Sequence, residues 1–246
     1  MNKLTLMLPL VAMTFDTHAQ ITDDFNAGND AAWTRHQPIQ SFGAGGTYSF
    51  PNGGYRIEAA GSPLPGAIGP ARAASIATGV SLSDFSVSYD LVDWGATPQF
   101  AGALTRIGNL GLGTTSGYAA GFDFTVNRLF ISRITGEQVS QVVSFSPVVP
   151  LDIAKDYRLT FTGIGNSFTG ELSEIGGPVL TVIAGSDGAY STGGIGLLVA
   201  AQTPTAGVGA DATFDNFSAG AAIPEPQTWA LLGVGLASLL MGCKRR

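Results

Sequence analysis

Of the 246 residues only one is cysteine and two are histidine, and charged side chains make up 12% of the chain. Each scarcity removes a class of chemistry. The one cysteine, Cys243, lies in the last four residues. No disulfide can therefore form within the chain, and the body must be held by its core or by metal. His18 lies in the N-terminal stretch, and His36 sits in the polar run Thr34-Arg35-His36-Gln37, which reads as surface. One body histidine without a body cysteine leaves no zinc set. No Gly-x-Ser-x-Gly elbow is present for a nucleophilic triad. No glycine-rich loop opens a helix, so the 34 glycines read as turn glycines rather than phosphate cradles. From Gln20 to Ala222, Lys155 and seven arginines face sixteen carboxylates. A body this acidic argues against a nucleic-acid partner and disfavours anionic lipid.

What is present is clearest at the two ends. Thr228 to Cys243 carries no charge. Read as one helix, it reaches about 24 Å at ~1.5 Å per residue, slightly short of a ~30 Å hydrocarbon core. Snorkelling of Lys244 or local thinning closes the difference. Trp229 suits one headgroup layer, and Lys244, Arg245 and Arg246 cap the other end on the cytoplasmic side. Pro224 and Pro226 cannot enter the helix interior and mark its start. At the N-terminus, Lys3, the apolar run Leu4–Phe15 and the small residues of Thr17-His18-Ala19 read as a signal peptide cut after Ala19. The expected organisation is a signal peptide over 1–19, one domain over 20–220, and a tail over 221–246 with a transmembrane helix at 228–243.

The body shows no sustained helical period, and alternation runs through it. Phe85, Val87, Tyr89 and Leu91 form one stripe. Tyr118, Ala120, Phe122, Phe124 and Val126 form a second, and Tyr157, Leu159 and Phe161 a third. Pro51-Asn52-Gly53-Gly54 and Gly163-Ile164-Gly165-Asn166 are turn signals between strands. Further strands are expected at Phe100–Ile107, Arg128–Ile134, Val139–Phe145, Val179–Ala184, Gly194–Ala200 and Ala212–Phe217. The segment Ala101 to Gly117 is weakly specified and also reads as a long loop over one face. About a dozen one-faced strands pack as two stacked antiparallel sheets.

Pro224-Glu225-Pro226, then Trp229-Ala230-Leu231-Leu232-Gly233, then the basic terminus resemble the PEP-CTERM sorting signal of Gram-negative bacteria. The resemblance implies a membrane protease of the exosortase type that cuts near the triplet and either releases the body or attaches it to the cell surface. In the body, four segments occur in order: Asp23-Asp24-Phe25-Asn26, Asp156-Tyr157-Arg158-Leu159-Thr160-Phe161, Gly194-Ile195-Gly196-Leu197 and Phe214-Asp215-Asn216-Phe217. That order resembles the concanavalin A-like, or laminin-G-like, jelly roll. The resemblance implies an all-β two-sheet sandwich in which the first strand lies beside the last.

Hydrolases of that class place two carboxylates on one strand face, and retaining chemistry needs them roughly 5 Å apart. No such triplet occurs. Glu171 and Glu174, like Asp90 and Asp93, are three apart and point to opposite faces of a strand. Calcium takes six to eight oxygens. With first and last strands paired, Asp23 or Asp24 approaches Asp215 or Asn216, and the jelly-roll resemblance implies a structural calcium ion there, with Asp24 and Asp215 as candidate ligands; the alternative is that both only cap turns or bond exposed backbone. Asp187-Gly188 reads as an ordinary turn. Sugar faces stack on aromatic rings, which makes Trp94 and Trp33 the candidate glycan-binding residues, with core capping as the alternative for each.

These features predict an exported, non-enzymatic protein, held in the inner membrane by its C-terminal helix and then sorted to the envelope surface or the extracellular matrix. Its expected partners are an exosortase-type protease and polysaccharide. A glycoside hydrolase or lyase with an unrecognised site on the same sandwich is the alternative.

Overall fold

The computed structural model describes residues 21–203 and 205–222. The signal peptide over 1–19 and the tail helix over 228–243 lie outside the described residues. Fifteen strands make up the described chain. They are β1 (Ile21–Asp23), β2 (Trp33–His36), β3 (Gly46–Ser49), β4 (Tyr55–Ala59), β5 (Arg72–Ala77), β6 (Phe85–Trp94), β7 (Gln99–Gly108) and β8 (Ser116–Asp123). They continue as β9 (Arg128–Thr135), β10 (Gln138–Phe145), β11 (Tyr157–Ile164), β12 (Ser167–Glu174), β13 (Val179–Ser186), β14 (Gly194–Ala201) and β15 (Ala210–Gly220). The one α-helix, Pro65–Ile68, has four residues. Among the described residues no helix is long and apolar enough to cross a membrane.

The strands form two antiparallel sheets. One runs β13-β12-β11-β6-β15-β4-β3, with β1 also on β15, and the other runs β10-β9-β8-β7-β14-β5-β2. β15 is the hinge of the first sheet. On one side it pairs with β6; on the other it takes β4 along Ala210–Phe214 and β1 along Phe217–Ala219. The first strand therefore lies against the last, as the sequence pattern implies. A bulge between Asp215 and Ser218, with Asn216 at φ +46°, separates the two halves of that pairing.

The alternating stripes set the core. Phe85, Val87, Tyr89 and Leu91 on β6 point inward, as do Tyr157, Leu159 and Phe161 on β11 and Tyr118, Ala120 and Phe122 on β8. Fully burying one such side chain contributes roughly 1.5–3 kcal/mol. Phe124 ends the β8 stripe at the core edge, whereas Val126 lies in the following turn, 43% exposed, and takes no part in it. The segment 101–117 corrects the loop reading in part. Residues 101–108 belong to β7, next to β14 and β8 in the interior of its sheet, 109–115 form the loop and 116–117 open β8. Small residues are required where β7 and β8 pair. A side chain on Gly102 or Gly121 would strike the backbone of the other strand.

β5, β7 and β8 are buried at nearly every position because a second apolar cluster covers the outer face of the seven-stranded sheet. Ala74, Ile76, Phe100, Leu104, Ile107, Ala119 and Ile134 form it, with Leu198 packed alongside.

Candidate functional site

That second cluster is the floor of a groove of about 500 Å³ across the outer face of the seven-stranded sheet. Strand pleat builds it. Leu198 and Ala200 of β14, Phe100 and Leu104 of β7, Ala119 of β8, and Phe130, Ser132 and Ile134 of β9 all line it, each from the outward face of its strand. Val139 and Val142 of the edge strand β10 form one wall, and His36 and Arg72 line it from β2 and β5. Gly121, between Ala119 and Asp123 on β8, leaves the middle of the floor without a side chain.

The polar part of the groove is built by one tight turn. Gly136 and Glu137 between β9 and β10 have φ of +57° and +65°. Two successive positive values are the signature of a two-residue hairpin turn of type I′. For Glu137, a non-glycine residue, this backbone region is costly, and it persists because the side chain is held. Its carboxylate accepts from Arg72 Nη2 at 2.5 Å and from the Gly113 amide at 2.9 Å, and it lies 3.1 Å from Thr115 Oγ1. His36 Nε2 is 3.6 Å from the same carboxylate and 3.1 Å from Thr115 Oγ1. Burial opposes ionisation of Glu137, but His36, the Gly113 amide and the Arg72 guanidinium outweigh it and hold the carboxyl below its ordinary value. The result is a buried, ionised, fully partnered carboxylate.

The other groove carboxylate, Asp123, ends β8 opposite Arg128 at the start of β9 and accepts from the Thr125 amide at 2.8 Å. Glu137 follows the far end of β9. Arg128 and Thr135 are seven residues apart, which spans about 23 Å at ~3.3 Å per residue.

The candidate residues read from sequence fall elsewhere. Trp33 is core, 6% exposed. Its indole N–H donates to Asp23 Oδ2 at 2.8 Å and its ring meets Phe217 edge-on at 4.8 Å. It is not a sugar platform. Trp94 is half-buried at the end of β6, stacked on Phe124 at 5.1 Å, and does not line the groove. Asp24 is exposed and accepts from the Asn26 amide at 3.2 Å; Asp215 accepts from the Asn216 amide at 2.6 Å. Burial, then repulsion from Asp90, Asp24 and Asp156, raises the Asp215 carboxyl above its ordinary value. Among the described residues no three His, Cys, Asp or Glu side chains converge as metal ligands. Two carboxylates alone supply fewer than the six to eight oxygens calcium takes.

Two readings from sequence need correction. His36 is not a free surface residue but part of the Glu137 cluster. Asp187 is not an ordinary turn residue: it is buried, accepts from Tyr118 Oη at 2.7 Å and pairs with Arg133 at 3.0 Å. Asp90 is 2% exposed and accepts a bidentate pair from Arg158, Nε at 2.7 Å and Nη2 at 2.9 Å. Glu171 and Glu174 form no catalytic pair, and Glu174 holds Lys155 at 2.9 Å.

The fold and groove define a lectin-like β-sandwich of the concanavalin A type. Solved structures with this architecture include the carbohydrate binding module CBM66 from Bacillus subtilis, at 20% identity and a TM-score of 0.54, covering 77% of this chain and 96% of that one. A protein of unknown function with a galectin-like fold, also from Bacillus subtilis, matches at 11% identity and a TM-score of 0.57, over 85% of this chain and 100% of that one. A prokaryotic β-1,3-1,4-glucanase (lichenase) derived from a mouse hindgut metagenome matches at 12% identity and a TM-score of 0.57, over 83% and 99%. At these identities the likeness is one of fold. No curated protein matches the sequence. At the C-terminus, residues 222–246 match the family described as the PEP-CTERM protein-sorting motif.

Proposed function

We propose that the chain is an exported protein, processed at its PEP-CTERM tail by an exosortase-type protease and delivered to the cell surface or extracellular matrix. There its sandwich binds and does not cleave, and its ligand is a polysaccharide lying in the groove of the seven-stranded sheet. One observation carries the non-catalytic part. Asp123 and Glu137 are the two carboxylates of the groove, and they stand at opposite ends of β9. Hydrolysis of a glycosidic bond needs two carboxyl groups within roughly 5–10 Å. Glu137 is also tied to Arg72, which leaves it neither free to protonate a leaving group nor free to attack.

Sugar binding is supported by the composition of the groove: an apolar floor with Phe100 and Phe130, and polar groups gathered at one wall. Fold likeness to a carbohydrate binding module and to a lichenase is equally compatible with binding and with hydrolysis, so the residues decide. The test is incubation with β-glucans, xylans and the host's own exopolysaccharide. Retention on affinity gels without new reducing ends is expected, with retention lost in Ser132→Trp, which fills the floor. Release of reducing ends that disappears in Glu137→Gln would instead establish the hydrolase alternative. No retention on any of these polymers would overturn the polysaccharide assignment.

A further inference from the structure

Both chain ends leave the sandwich on the same side. Ile21 pairs with Ala219, and the Ala222 amide donates to Asp84 O at 3.3 Å just ahead of β6. Arg106, near the end of β7, marks that side: its guanidinium donates to Ser83 O, Tyr190 O and Gly165 O, at 2.8, 3.0 and 2.7 Å. The connections 78–83, 108–116, 163–167 and 188–193 therefore meet at the end where the chain exits. None of the four contains Lys, Arg, Asp or Glu. The charged groups beside them are already partnered: Asp84, 42% exposed, accepts from the Gly165 amide at 2.8 Å, and Glu137 accepts from the Gly113 amide at 2.9 Å. This end presents Leu110, Leu112 and Ile164, which are 46%, 37% and 40% exposed.

Sequence length then restricts how the body sits. Ala222 is six residues from Thr228, where the apolar run begins. Six residues reach at most about 20 Å. β15 alone, with eleven residues, is about 35 Å long. On a tether of that length the sandwich cannot stand on its far end with the exit end uppermost, because Ala222 would then lie about 35 Å from the bilayer; the exit end is held beside it. We infer that, until the tail is cut, the end formed by the 78–83, 108–116 and 163–167 connections rests on the outer surface of the membrane, with Leu110, Leu112 and Ile164 in the headgroup layer. This rests on the reading of residues 228–243 as a membrane span. Uncharged connections with isolated leucines suit a lipid surface, since leucine gains on leaving water, and the carboxylate at their edge, Asp84, is held by the Gly165 amide. The Pro224-Glu225-Pro226 triplet then lies between the body and the bilayer, within reach of a protease embedded in that bilayer.

The test uses the full chain carrying Cys243→Ser, exported in a bacterial host without an exosortase and reconstituted in phosphatidylethanolamine–phosphatidylglycerol vesicles containing doxyl lipid. A fluorophore is placed on Leu112→Cys or, at the opposite end, on Ala154→Cys. Resistance to alkaline carbonate extraction reports the membrane span independently. With the span inserted, the Leu112→Cys probe is expected to be quenched at least about twofold more than the Ala154→Cys probe, as for a side chain ~5–10 Å into the headgroup boundary. A twenty-residue Gly/Ser insertion after Ala222 is expected to reduce the difference. Inserted span with equal quenching at both positions overturns the inference alone. Complete extraction by carbonate overturns the membrane reading and the inference with it.

Discussion

Arg106 shows how one residue ties an end of this sandwich together. Its side chain is 1% exposed, its guanidinium lies over the rings of Phe85 and Phe168, and its carboxylate neighbour, Asp84, is 3.9 Å away. Three backbone carbonyls stand in for a counter-ion, and burial pulls the guanidinium below its ordinary value. Truncating it leaves those carbonyls without partners, each costing about 1–3 kcal/mol. Arg106→Leu is therefore expected to lower unfolding stability by about 3–5 kcal/mol in urea titration. Arg106→Lys recovers only part, because one ammonium cannot reach three carbonyls spread over three connections. Asp215 predicts the opposite sign. Its folded carboxyl lies above the ordinary 3.8, so folding favours the protonated form. That contribution is present below the unfolded value and is lost as pH rises through the folded one, leaving a repelled carboxylate at neutral pH. Asp215→Asn is expected to raise the urea midpoint at pH 7, by under ~1 kcal/mol, with the gain vanishing as pH falls below about 3.8. The same pair of titrations reads calcium: a chelator is expected to leave the parent chain unchanged, and a fall in stability on chelation would restore Asp24 and Asp215 as ligands.

Among the elements, β7 and β8 depend most on residues too small to advertise themselves. Gly102 pairs with Gly121, and a Cβ on Gly121 would meet Ala101 O at 2.2 Å and Gly102 Cα at 2.4 Å. Gly121→Val is expected to cost at least ~3 kcal/mol by forcing these strands apart, above the usual range for overpacking because the obstacle is backbone. Loss of the near-ultraviolet signal from Tyr118 and Phe122, ahead of the global urea transition, checks it. The same residues explain what the sequence could and could not tell. β6 and β11 were legible because one face is polar, so Ser86 and Ser88 alternate with Phe85, Val87 and Tyr89. β8 was legible from its Tyr118, Ala120 and Phe122 stripe, but β7 is covered on both faces, and its small residues blur the alternation, so the same segment reads both as a strand and as a loop. The groove's polar cluster was illegible for a different reason. His36, Arg72 and Glu137 come from three distant segments, and only the fold brings them together. The signal available was Gly136-Glu137, a two-residue turn with an acidic residue where Asn or Gly is usual.

For the molecule as a whole, what matters is where folding stops and sorting starts. Phe217 and Ala219 are buried, Ala222 is 7% exposed, and its amide makes the last backbone hydrogen bond of the described chain. The sorting triplet begins two residues later, at Pro224. A protease can therefore cut at the triplet without drawing any residue out of the core. Ending the chain after Ala222 is expected to shift the thermal midpoint by less than ~1 °C, since every buried contact among the described residues is kept. Ending it after Phe214 is expected to abolish folding. That cut removes Phe217, whose ring packs edge-on to Trp33, along with every β15 residue that pairs with β1. Burial of Phe217 alone accounts for roughly 1.5–3 kcal/mol, and losing the β1 pairing exposes the core beneath it. Differential scanning calorimetry of the two truncations checks both outcomes. If the Ala222 end proved strongly destabilising, residues beyond it would have to pack on the sandwich, and the tail would be part of the fold as well as its address.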